Sequence, residues 1–306
     1  MEIFFTILFK LIPLYIIIFL GYLGGKFLNI RKETIAPLLL NIIVPVVIFT
    51  GVVNTKIILS TLSIPLLFFL VSSSISLLVY YLAGFVWKDS TRNILAFASG
   101  TANTGYFGLP VAIAIFGNSA IVIVSLALLG TSLYTNSLGY FLAARGQHTA
   151  KESLIKVLKL PILHAFFIGL LVNLSGIKLG AIYFDMAKNF NGAFVILGMM
   201  IIGLGLADIK DFEFDFKFIG LSLFIKFFVW PLIILIIILL DNYTFKIYDH
   251  NLYKILILMA IVPVATNIVS YATILKAQPE KLSLVVFIST LFALFYVPLI
   301  SALFLR

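Results

Sequence analysis

The chain has 306 residues, of which 62% are hydrophobic and 11% charged, with a net charge of +9 at neutral pH. Soluble domains carry roughly 25% charged residues, so a chain this apolar cannot cover a water-facing surface. The absence of cysteine excludes disulfides and thiolate metal sites, and three histidines (His148, His164, His250) leave little for a metal centre. No cofactor is expected. In such a chain the positive charge fits basic loops at a membrane surface, and no nucleic-acid partner is expected.

A hydrocarbon layer of about 30 Å needs about 20 apolar residues per helix. Ten such stretches can be placed, near 5–27, 33–53, 60–86, 92–116, 119–143, 155–176, 190–208, 217–240, 251–275 and 282–304. The first has no basic leader and no small-residue cleavage site, so it reads as a retained helix. The connections are short, the longest lying around Arg145–Lys156, and none holds a soluble domain. The expected class is an all-α polytopic membrane protein.

Basic residues set the expected orientation. Odd-numbered loops hold Lys26, Arg31, Lys32, Lys88, Arg92, Arg145, Lys151, Lys156, Lys159, Lys210, Lys217, Lys276 and Lys281, thirteen in all. The termini and even loops hold seven: Lys10, Lys56, Lys178, Lys188, Lys246, Lys254 and Arg306. The positive-inside rule then places the odd loops in the cytoplasm and both termini outside. Ten is twice five, so two five-helix halves would be inverted relative to each other. Lys10-Leu11-Ile12-Pro13-Leu14 opens the first stretch, and Lys159-Leu160-Pro161-Ile162-Leu163 opens the sixth as an echo. The expected halves are residues 1–144 and 155–306, joined by a cytoplasmic linker at 145–154.

Two stretches carry most of the chemistry. The fourth contains Ser99-Gly100-Thr101-Ala102-Asn103-Thr104-Gly105-Tyr106-Phe107-Gly108-Leu109-Pro110. Pro110 lacks an N–H and clashes with the preceding turn, while the glycines favour unwinding. Unwound backbone at membrane depth survives only where it is buried in protein or lines a wet cavity. A kinked packing helix is the alternative, since small residues also allow close helix contact. The ninth stretch, Ile261-Val262-Pro263-Val264-Ala265-Thr266-Asn267-Ile268-Val269-Ser270-Tyr271, again pairs proline with asparagine at the matching place of the second half. Paired interruptions of this kind point to a transporter's binding site.

Asn103-Thr104-Gly105-Tyr106-Phe107-Gly108-Leu109-Pro110, followed by Phe116-Gly117, resembles the auxin efflux carrier family of PIN-like transporters, whose bacterial members include malate- or malonate-permease-like proteins. Leu40-Asn41-Ile42-Ile43-Val44-Pro45 is similar to that family's second helix, and Pro263 through Asn267 to Gln278-Pro279 to its ninth. The resemblance spans essentially the whole chain, and the long central loop of plant members is missing. It implies ten helices in two inverted five-helix repeats, a scaffold and a transport domain, and broken fourth and ninth helices crossing beside an organic anion. The substrate-binding candidates are Asn103, Thr104, Gly105, Pro110, Pro263, Asn267, Ser270 and Asn41. The acid typical of the plant carriers' third helix has no counterpart, because the apolar part of 60–86 contains no Asp or Glu.

Other polar residues receive structural expectations. Lys226 is read either as a substrate partner or as a snorkelling lysine. His164 is read as packed or hydrogen-bonded, Asp208 as a solvated helix end, and Ser72-Ser73-Ser74 as hydrogen-bonding helices together. Trp87 and Trp230 are read as lipid-facing or interfacial belt residues. The combined expectation is a non-enzymatic carrier of a small organic anion by alternating access, embedded in the cell membrane, with a homodimer left open. A sodium-coupled symporter of bile-acid-symporter-like architecture and a transporter-like sensor are the alternatives.

Overall fold

The computed structural model describes residues 2–54, 58–144, 159, 161–207 and 214–304. The linker expected at 145–154 and Asp208 lie outside the described residues. Within them the regular secondary structure is all helix, with no strand. The helices are α1 (Glu2–Leu28), α2 (Lys32–Val53), α3 (Leu59–Ala83), α4 (Thr91–Ser99), α5 (Leu109–Phe116), α6 (Ala120–Tyr134), α7 (Pro161–Leu174), α8 (Ala181–Ala207), α9 (Phe216–Phe245), α10 (His250–Ile261), α11 (Ile268–Leu275) and α12 (Pro279–Phe304). A π turn at Thr135–Gly139 carries α6 on into Tyr140–Ala144. Helix is the expected outcome, because hydrocarbon offers no partner for an unpaired N–H or C=O.

Among the described residues seven helical spans are long and apolar enough to cross a bilayer, and Leu163–Leu174 and His250–Ile261 are shorter apolar helices. One of the seven, Thr91–Ala144, runs for 54 residues. At about 1.5 Å per residue that is more than twice the thickness of the hydrocarbon layer. It is divided by a break after Ser99 and by a turn at Gly117, where φ is 74°. The chain is therefore a multi-pass membrane protein. The seventh apolar stretch begins nearer residue 181 than the 190 expected from sequence. Asp185, Lys188, Asn189 and Asn191 give this segment a loop-like composition, yet they sit on helix turns, with Lys188 and Asp185 paired at 2.8 Å.

The helices sort into two packing groups. In one, α1 lies along α8, and α7 lies along α2. In the other, α3 packs on α4 and α6, while α9, α10, α11 and α12 pack among themselves. Small residues permit the first group's closest approach. A Cβ at Gly203 would strike the Ile18 carbonyl and the Tyr22 N–H, and one at Gly25 would lie 2.7 Å from the Ala207 Cβ. Without a water-driven hydrophobic force, membrane helices associate through such close backbone packing.

Candidate functional site

The fourth stretch leaves helical geometry at Gly100–Asn103, and the ninth leaves it between Ile261 and Ile268. The two breaks touch. In a continuous helix the Asn103 N–H would donate to the Ser99 carbonyl. Here it donates to the Pro263 carbonyl at 2.8 Å, and Ser99 accepts the Trp230 indole N–H at 2.7 Å. Each break thus supplies or frees a group that the other side of the interface satisfies.

The remaining last-turn carbonyls of α4 are also occupied. Ala96 accepts from the Ser76 hydroxyl at 2.8 Å, and Phe97 accepts from the Tyr134 hydroxyl at 3.0 Å. Ala98 accepts from the Thr101 N–H and the Thr101 hydroxyl. A helix end exposes four unpaired carbonyls, and burial in hydrocarbon requires a donor for each. Gly100 is needed because Tyr134 lies directly against it: a Cβ there would collide with the phenol ring and sit 2.7 Å from the Ser72 carbonyl.

On the other side of the break, Asn103 begins the next helical segment. Its Oδ1 accepts the Phe107 N–H at 3.2 Å, capping the π turn Thr104–Gly108 that leads into α5. Its Nδ2, 3% exposed as a residue, has no partner among the described residues. Thr266 Oγ1 and Asn267 Oδ1 are likewise buried atoms without partners among the described residues. A half-turn of the Asn267 amide would present N–H groups at the same place.

These atoms border a cavity of about 150 Å³ between the two packing groups. Asn41, Val44, Pro161 and Phe194 line it from one group, and the two breaks and α6 line it from the other. Its polar lining is made of amides and hydroxyls: Asn41, Asn103, Asn136, Asn267, Thr131, Ser132, Thr135, Thr266, Tyr106 and Tyr271. None of the described lining side chains is charged. A second cavity of about 240 Å³ shares Tyr106, Thr266, Asn267 and Tyr271 with the first and reaches Lys32 and Glu33. The Tyr271 hydroxyl, in this shared wall, donates to Asn136 Oδ1 at 2.7 Å.

Of the residues singled out from sequence, Asn41, Asn103, Gly105 and Asn267 line the first cavity. Thr104 lies behind it, with its hydroxyl 3.0 Å from that of the lining Thr131. Pro263 contributes its carbonyl to Asn103 rather than a surface to the cavity. Pro110 sits in the first turn of α5, where proline is tolerated, and does not line it. The Ser270 side chain lies outside the described residues. Sequence reasoning passed over Asn136, Thr131 and Thr135, although Thr131-Ser132-Leu133-Tyr134-Thr135-Asn136-Ser137 is a visible polar run inside the fifth apolar stretch.

Three expectations need correction. Trp230 is not a belt residue: it is 0% exposed, stacked on Phe68 and bonded to Ser99. Lys226 does not snorkel to water, being 0% exposed with Nζ 4.2 Å from the Trp230 ring centroid. The serine triplet does not tie helices, since the Ser72 and Ser73 hydroxyls have no partner among the described residues. Ser76, one turn on, makes the inter-helix bond instead. In each case one face of the helix is covered by protein and not by lipid, which composition alone does not distinguish. His164 lies on an exposed face of α7.

An all-helical membrane protein with two interrupted helices meeting at an uncharged polar cavity belongs to the class of membrane transporters. Residues 6–301 match the family described as membrane transport protein, the auxin efflux carrier-like family of the sequence resemblance, and the chain belongs to it. It is 28% identical over 297 residues to an uncharacterized transporter of Methanocaldococcus jannaschii, covering 93% of this chain and 94% of that protein. It is also 28% identical over 195 residues to an uncharacterized transporter of Methanothermobacter thermautotrophicus, covering 63% of each.

Proposed function

We propose that this protein is an alternating-access carrier that exports a small organic monoanion, a carboxylate, across the cell membrane. The observation that carries the reading is the charge-free cavity where the two breaks meet. An anion there would be held by amide and hydroxyl donors and by the N-terminal ends of the segments after each break, which carry partial positive charge. With no cationic side chain among the described residues that line the cavity, a second negative charge would go uncompensated. That favours a monocarboxylate over a dicarboxylate. The α4 carbonyls beside Asn103 already have donors, which favours an anion carrier over a sodium-coupled symporter.

The moving parts in this reading are the two packing groups, one as scaffold and one as transport unit. The reading extends to ten crossings in two inverted repeats, broken crossover helices at the fourth and ninth positions, and both termini outside. Export needs no coupling ion, because the cytoplasm is electrically negative. A potential of about 100 mV supplies about 2.3 kcal/mol per charge, roughly a fifty-fold outward gradient. The test uses proteoliposomes loaded with a monocarboxylate panel and a valinomycin-set potassium potential, with no Na⁺ or proton gradient. Efflux should follow the sign of the potential. Efflux that ignores the sign, or that requires added Na⁺, sinks this reading.

A further inference from the structure

Lys226 is a lysine buried at membrane depth, and its Nζ has no hydrogen-bond acceptor among the described residues. A lysine without an acceptor in such a place needs a reason, because ionisable side chains inside a membrane are expensive and mark function. Its recorded contact is the face of Trp230, at 4.2 Å. The two residues are one turn apart on α9, where a π turn at Ile225–Val229 places the lysine over the ring. The far edge of the same indole donates its N–H to Ser99, the carbonyl that Asn103 has abandoned.

The signs along this line agree. A lysine nitrogen over an aromatic face turns its N–H groups to the π density and draws that density away from the ring. The indole N–H thereby becomes a stronger donor, as in any polarised chain of hydrogen bonds. The acceptor sits at the C-terminal end of α4, which carries partial negative charge. Phe68 stacks on the indole at a centroid distance of 6.5 Å and holds it in place from α3. None of these side chains lines the substrate cavity.

We propose that Lys226 and Trp230 act as one positioning unit for the site. The lysine nitrogen strengthens the indole N–H given to Ser99, and that hydrogen bond keeps the helix broken so that Asn103 stays bonded to Pro263 and aimed at the cavity. Without it, the Asn103 N–H has its ordinary helical acceptor, Ser99, available again. The role rests on the proposed site but not on the identity of its anion.

The chain's lack of cysteine allows a readout that needs no ligand. Ala265→Cys places a thiol on the cavity wall, and Ser119→Cys places one on an exposed turn as control. Thiol labelling of purified full-length protein is measured in both backgrounds. Trp230→Phe keeps the ring and removes the N–H, and it should slow labelling at position 265 by about five-fold or more, the scale of one lost buried hydrogen bond. The rate at position 119 should not change. Lys226→Met should slow labelling in the same direction, and Lys226→Arg should restore most of the rate. In the Trp230→Phe background, Lys226→Met should add little, because the lysine acts through the indole.

Parent-rate labelling in Trp230→Phe overturns the proposal. So does an arginine variant as slow as the methionine variant, or a fully additive double variant. If Trp230→Phe fails to fold, the Lys226 Met/Arg pair decides alone. Thermal shift by a lactate, acetate and malonate panel is read in parallel. Slowed labelling with no thermal shift by any anion in the parent would keep the positioning unit and remove the carboxylate reading.

Discussion

Asn103 performs two tasks with one amide, and two substitutions separate them. Its Oδ1 caps the Phe107 N–H at 3.2 Å, and its Nδ2 is a buried donor at the cavity without a partner among the described residues. Asn103→Ala removes both. Loss of the cap costs about 1 kcal/mol of stability. Loss of a donor to a charged ligand costs about 1.5–3 kcal/mol of binding, or roughly 10- to 150-fold in affinity. Asn103→Asp is the sharper variant. It retains an acceptor for Phe107 and nearly the same shape, so the fold should be kept. It also places a negative charge in a cavity with no charged lining. At about 4 Å and an effective dielectric of about 20, its repulsion of an anion is about 4 kcal/mol, close to a thousand-fold. The assay is monocarboxylate efflux from proteoliposomes, with thermal melting of each variant as the control for folding. An aspartate variant that exports the anion at the parent rate at both neutral and alkaline pH would refute the site assignment, because an ionised carboxylate at position 103 cannot be indifferent to an anion bound beside it.

Further outcomes follow from other contacts. Gly203→Val should strongly lower the melting temperature in detergent, since even a Cβ meets the backbone of Ile18 and Tyr22. Gly205→Ala, where a Cβ meets nothing within 4 Å, should melt like the parent; equal melting of the two would contradict the α1–α8 packing. Tyr271→Phe strands Asn136 Oδ1 in the wall between the two cavities and should alter the transport rate more than the affinity for anion, measured as separate maximal rate and half-saturation in liposomes. Cysteines introduced at Glu2 and Gln147 should label from opposite sides of the membrane; labelling of position 147 by an impermeant reagent on intact cells would reverse the proposed orientation. Asn267→Ala should impair export without loss of expression, and Asn103→Ala with Asn267→Ala should abolish it. Parent-level flux in that pair would leave the breaks without a role in binding.

Much of this protein is legible in its residues. The bilayer permits one main secondary structure, so long apolar runs specify helices with little help from tertiary context. Gly100, Gly105 and Pro110 in one stretch and Pro263 in another mark where those helices fail, and Asn103 and Asn267 mark the polar groups at the failures. What the residues do not encode locally is which surface each helix turns to protein. Trp230 and a lipid-belt tryptophan have the same side chain, and only the packing of α9 against α4 and α3 makes this one a donor to Ser99. The seventh stretch starts earlier than its composition suggests because charged residues on a helix end that leaves the hydrocarbon look like a loop. The local sequence shows two interrupted helices, while the exchange of partners that stabilises them, Asn103 to Pro263 and Ser99 to Trp230, joins residues 160 and 131 positions apart. Hydrogen-bond satisfaction at a break is settled between segments distant in sequence, so it exists only once the chain is folded.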